Sequence, residues 1–281
     1  MAVDPALVVS GTHVFGPLSV ISALFLSLTS SAIWSRNVGE TSCGWRVDYS
    51  PDGRAFGIWA VIYLWSLGSA IAQCTTLVMV LDWWTSASWS LTWVFCALWV
   101  PLFDAEYLGA LRSALVQISL AAVFATVGAW NSRMWIADTT AQLAEQLAVG
   151  VPLTLLAGWL LAASSINVGI VWKAGRPDAV RTCIIVPRSA SKSETEAEYR
   201  ARRRVIYREQ YAKSPAVVSP VPLVLSAGVS GLALLIRDPL LPVPLLWAIV
   251  NLKAFPSVVY MCSLLMCACG SAAAAVRVFM F

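Results

Sequence analysis

Charge and histidine are what this sequence has least of. Charged residues fill 12% of its 281 positions, about half the usual share in a soluble domain, and the only histidine is His13. The first shortage excludes an ordinary water-soluble fold. The second excludes metal centres built on paired histidines and bis-histidine haem ligation, and it leaves no sign of a Ser-His triad. His13, at the head of the first apolar run, is open to two readings, a ligand to a tetrapyrrole metal or a polar residue at a helix end. No glycine-rich phosphate loop is present, and no transporter-like pair of charges falls inside an apolar run. Asp104 and Glu106 follow the third run, where helix termination is their plainer role. The seven cysteines, at 43, 74, 96, 183, 262, 267 and 269, are an odd number with five inside apolar runs, which reads as packing and not as a disulfide framework. Cys267 and Cys269 project to different helix faces and lack partner ligands, so no metal site is expected there. The first residues, MAVDPALVV, carry no Lys or Arg before Arg36, unlike a secretory signal or a transit peptide, so the first run is expected to stay as a transmembrane helix.

What the sequence has instead is apolar length. Hydrophobic residues make up 59% and mean hydropathy is +0.74, the profile of a polytopic membrane protein. The runs are too long, and too poor in alternation, for barrel strands. The expected fold is therefore an all-α integral membrane protein. Eight apolar segments are predicted, at about 14–34, 55–81, 86–103, 111–130, 147–172, 217–236, 240–252 and 257–276. The seventh is short for a full span. They divide the chain into a five-helix core (1–173), a charged extramembrane loop (174–215) and a C-terminal transmembrane extension (216–281). If eight helices alternate, Arg36, Arg46, Arg54, Arg112, Lys253 and eleven basic residues between Lys173 and Lys213 put sixteen of the 19 basic residues on one side. By the positive-inside rule that side is cytoplasmic, or matrix or stromal in an organelle. Ser193 to Glu196 form a capping-box pattern and Glu196 pairs with Arg200 at i, i+4, predicting a surface helix over 194–211. It docks on anionic lipid or an acidic partner, or is simply solvated; nothing points to nucleic acid.

Aromatic residues carry the remaining signal. Of 14 tryptophans, Trp34, Trp83, Trp84, Trp130, Trp135 and Trp172 fit an interfacial belt, whereas Trp59, Trp65, Trp93, Trp99 and Trp159 fall within spans. The stretch SPDGRAFGIWAVIYLW, from Ser50 to Trp65, begins as a turn at Pro51 and Gly53 and enters the bilayer with Phe56, Trp59 and Tyr63 at i, i+3 and i+7. One helix face is aromatic. Tryptophans inside a bundle either fill helix interfaces or offer flat faces to a planar apolar ligand. Three small-xxx-small pairs, Gly68 with Ala72, Gly158 with Ala162 and Gly270 with Ala274, support close packing within the chain, in dimers or against another subunit.

FGIWAVIY in the second helix, ALWVPLF in the third and LAGWLLAASSINVGIVW in the fifth together resemble the TspO/MBR family, the tryptophan-rich sensory or translocator proteins. The matching residues are Pro51, Phe56, Trp59 and Tyr63; Trp99, Pro101 and Phe103; and Trp159, Ala163, Asn167 and Trp172. Cys96 stands where the family has an asparagine. The resemblance covers about residues 12–173, and the tail looks like that of longer members with three further helices. It implies a pocket for porphyrins, chlorophyll-like tetrapyrroles, sterols or other lipids, with Trp59 and Trp159 as pocket tryptophans and Phe56, Tyr63, Trp99 and Asn167 beside them. The expected function is thus binding of a planar apolar ligand, with no covalent cofactor and no catalysis. Light-dependent porphyrin degradation through tryptophan is a weaker enzymatic alternative. A long charged loop that ordinarily needs holding motivates another alternative, an accessory subunit of a large photosynthetic or respiratory complex. Expected partners are membrane lipids, the small apolar ligand and either a homo-oligomer or a larger complex, in a mitochondrial or thylakoid membrane.

Overall fold

The computed structural model describes residues 5–47, 49–51, 53–75, 82–104, 107–132, 146–177, 221–236, 238–251 and 258–280. Among these, regular structure is helical and no strand occurs. The helices are α1 (Pro5–Gly44), α2 (Ile58–Cys74), α3 (Trp83–Leu102), α4 (Leu108–Ser132), α5 (Val151–Ala174), α6 (Val221–Ile236), α7 (Val243–Val250) and α8 (Val258–Met280). A 3-10 turn, Gly53–Gly57, leads into α2, and a π turn, Gln146–Gly150, leads into α5. All eight predicted segments therefore appear as helices in the predicted order. The surface helix expected over 194–211 lies outside the described residues.

Local chemistry sets several boundaries. Asp82 caps α3 by accepting from Thr85 N at 2.8 Å and Thr85 Oγ1 at 2.9 Å, which satisfies two donors at a helix start. Pro152 sits in the first turn of α5, where its missing N–H costs nothing. Several boundaries differ from the sequence expectation: α1 starts at Pro5, nine residues before the expected 14, and α2 ends at Cys74, seven before the expected 81. Helix α1 runs ten residues past the expected end at Trp34, because no proline or turn pair intervenes before Gly44 and because the extension packs: Thr41, 1% exposed, donates to Phe103 O at 3.0 Å. Helix α7, as the shortness of its segment predicts, has only eight residues, about 12 Å of rise, too short to cross a hydrocarbon core of about 30 Å. The placement of Lys253 by strict alternation of eight spans therefore draws no support from α7.

Packing follows the chain. Helix α1 lies against α3, α3 against α4 and α4 against α5; α2 closes the core against α1 and α5, while α6 pairs with α8 and α7 bridges α5 to α8. The α3–α4–α5 seam is tight because α4 presents alanines, with Ala114, Ala121, Ala122, Ala125 and Ala129 all buried. Small side chains let helix backbones approach where lipid offers no hydrophobic drive for association. Outward-facing Leu64, Val123 and Val168 are exposed, as acyl-chain contact requires. The tryptophans divide largely as their sequence positions predict: Trp34, Trp83, Trp84, Trp130 and Trp172 are exposed, and Trp93, Trp99 and Trp159 are buried, whereas of the other within-span tryptophans Trp59 is half-buried and Trp65 is exposed. Gly16–Trp34, Gly53–Cys74, Leu108–Ser132 and Leu147–Ala174 are long and apolar enough to cross a membrane. Helix α3 is as long, with its hydropathy lowered by tryptophan, serine and threonine on its buried face.

The small-xxx-small pairs have different fates. Gly158 receives the C-terminal extension: a Cβ there would lie 2.2 Å from Leu241 O and 3.0 Å from Pro244 Cδ. Gly270 packs on Ser230, while a Cβ at Gly68 would meet nothing within 4 Å. Gly158→Ala should therefore lower the unfolding free energy by about 1–3 kcal/mol, read as an earlier midpoint in detergent-titrated unfolding. An unshifted midpoint would mean that α7 is not seated on α5.

Candidate functional site

The 3-10 turn ends at Gly57 in a right-handed helical conformation, φ −59° and ψ −23°, so it feeds α2 without a break. Phe56, Trp59 and Tyr63 thus share the face that the sequence spacing predicts, and that face borders a cavity of about 490 Å³. Helix α3 adds Cys96, Trp99 and Val100, and Ile166 comes from α5. On the opposite wall α1 contributes Ser27, Ser31, Val38 and Ser42, and the loop between α1 and α2 contributes Arg46, Ser50 and Pro51 at the rim.

The rings form a continuous network of contacts. Tyr63 lies over Trp93 at 4.8 Å with planes 27° apart. Trp59 touches Tyr63 at 5.5 Å and Trp93 at 6.4 Å. Trp159 meets Phe56 at 5.9 Å and Trp59 at 6.2 Å, edge to face in both cases. Such edge and offset contacts each add about 0.5–1.5 kcal/mol beyond the area they cover. Polar tips are tied down as well: Tyr63 Oη and Ser27 Oγ are 2.8 Å apart, and Trp99 Nε1 donates to Asn167 Oδ1 at 3.1 Å while Asn167 Nδ2 donates to Ala163 O at 2.9 Å. Trp93 and Trp159 are the exception, since each keeps a buried Nε1 with no acceptor among the described residues. Their positions are set by ring packing.

Of the six residues expected in the site, Phe56, Trp59, Tyr63 and Trp99 line the cavity directly. Trp159 and Asn167 stand one layer back, Trp159 as the wall behind Phe56 and Trp59 and Asn167 as the group that orients the Trp99 indole. His13 falls within α1, its side chain outside the described residues. Sequence reasoning missed the α1 wall and the rim. Ser27 and Ser31, then Val38 and Ser42, recur at i, i+4, i+11 and i+15, a helical-face signal that was available. The folding-back of the loop had no such signal. Lys173 Nζ donates to Arg46 O at 2.6 Å, Tyr49 Oη to Ser165 O at 3.3 Å and Arg46 Nη2 to Ser50 O at 3.3 Å. Gly169 makes the Tyr49 contact possible, because a Cβ there would lie 2.0 Å from the phenol oxygen.

Residues 13–181 match the family described as TSPO-like protein. The chain belongs to this family. No curated protein and no solved structure is significantly similar to it. The match begins within α1, takes in α2 to α5 and the whole cavity lining of the TSPO-like protein, and ends before α6 begins. An all-α membrane fold is what the family shares, in agreement with the resemblance drawn from the aromatic motifs. Helices α6, α7 and α8 are an addition beyond the matched region.

Proposed function

We propose that this TSPO-like protein binds a planar, largely apolar ligand of the tetrapyrrole or sterol class in the cavity among α1, α2, α3 and α5. The observation that carries the reading is the cavity itself, about 490 Å³ and walled on one side by Phe56, Trp59, Tyr63 and Trp99. Ligand sites are typically concave spaces of about 300–1,000 Å³ with aromatic walls and few polar groups. The polar groups here are hydroxyls, the Cys96 thiol and the Arg46 guanidinium at the rim, which suit a ligand with a flat apolar body and one polar end. They orient and hold; the reading is of a binder. Titration of the purified protein with protoporphyrin IX should quench tryptophan emission saturably. Replacing Trp59 and Trp159 together with Phe and Leu, respectively, should weaken the affinity at least about tenfold, since two or more ring contacts are lost. Equal affinity in the double variant would remove the ligand from this cavity.

A further inference from the structure

Three contacts bind the C-terminal extension to the back of the cavity wall, and the extension's share of each lies outside the family match. Asp238, 1% exposed, follows α6 and accepts from Thr154 Oγ1 on α5 at 2.5 Å and from Leu240 N at 2.9 Å. The Leu241 carbonyl and the Pro244 ring then sit on Gly158. One turn further, Trp247 Nε1 donates to Ala55 O at 3.0 Å. The last two contacts fall beside cavity rings in the chain: Gly158 precedes Trp159, and Ala55, fully buried, precedes Phe56. Those two rings are the pair that meets edge to face at 5.9 Å.

We propose that α7 is a strut that positions the Phe56–Trp159 pair, so that ligand affinity is set partly by a segment outside the TSPO-like core. The physical reason lies in the 3-10 turn. Its hydrogen-bond geometry is poorer than that of an α-helix, and both its ends are glycines, Gly53 and Gly57, that are exposed. A donor from outside, the Trp247 indole, holds the turn at Ala55. At the other end Asp238 fixes where α7 starts. Because the coupling is reciprocal, an occupied cavity would strengthen the docking of α7 by the same factor by which docked α7 strengthens binding.

This inference rests on the cavity being the ligand site, and its test separates the two. Trp247→Phe keeps a ring in place and removes the N–H. In the full chain in lipid nanodiscs, the expected result is about fivefold weaker quenching affinity for protoporphyrin IX. Amide exchange should rise in the 53–59 peptide, with α3 and α4 peptides and the thermal midpoint unchanged. A merely structural loss would move the midpoint and would not be confined to that peptide. Trp172→Phe, on an exposed ring of α5, is the control that shifts none of these. Thr154→Val, which releases the other end of the strut without changing side-chain shape, should move affinity and exchange in the same direction and serves if Trp247→Phe does not fold. Unchanged exchange in both variants overturns the strut, as does faster exchange with undiminished affinity. If the unaltered protein fails to quench with the probe, the cavity reading falls, and the exchange of 53–59 alone then decides whether α7 holds the turn.

Discussion

Trp159→Ala is expected to cost about 3–5 kcal/mol of stability, the range for removing a fully packed large aromatic ring, and to abolish saturable quenching by protoporphyrin IX. The indole is 2% exposed and holds two edge-to-face contacts, to Phe56 and to Trp59, so truncation takes the backing from both rings at once. In lipid the loss is mainly one of dispersion contact, because the competing acyl chains are as apolar as the core. Trp159→Phe retains one ring and should cost less than half as much. The check is the midpoint of unfolding in mixed detergent micelles. A cost below about 1 kcal/mol for the alanine variant would mean that the ring is not packed as described.

Asp238→Ala should be nearly as damaging, by about 2–4 kcal/mol. It strips the acceptor from Thr154 Oγ1 and Leu240 N, and a buried donor left unmatched costs roughly 1–3 kcal/mol. Asp238→Asn keeps one oxygen to accept from Leu240 N and places an amide that can donate to the Thr154 hydroxyl in place of the second, and its cost should stay under about 1.5 kcal/mol. Together the two variants separate hydrogen bonding from charge in the same unfolding measurement. Equal losses would show that the site requires the full carboxylate, with both acceptor oxygens and the charge.

Most of the fold was written in hydropathy, because a helix in lipid must satisfy its own backbone and therefore announces itself as a long apolar run. Even the shortness of α7 was visible between Arg237-Asp238-Pro239 and Lys253. The site was legible only where sequence spacing alone fixes a face: Phe56, Trp59 and Tyr63 lie on one short helix and had to point together. Trp159, expected as a pocket tryptophan, stands one layer behind the cavity lining. Helix α5 is apolar on every side, with buried residues in nearly every position from Val151 to Leu160, so nothing in its pattern tells how it is rotated. Asp238 read as the polar break between two helices, and its burial depends on Thr154, which is 84 residues away. The rim was illegible for a similar reason: Arg46 reaches it through a fold-back held by Lys173 and Tyr49, contacts that no local periodicity encodes.

The length of α1 has one more implication. Its apolar span is Gly16–Trp34, yet the helix continues to Gly44. The cavity uses both parts, with Ser27 and Ser31 inside the span and Val38 and Ser42 beyond it, a distance of about 22 Å along the helix from Ser27 to Ser42. The cavity lining therefore draws on both the apolar stretch of α1 and its more polar continuation. A guest of the proposed kind would meet an apolar environment at the Ser27 end and the polar rim of Arg46 and Ser50 at the other, a gradient of dielectric constant along its own length.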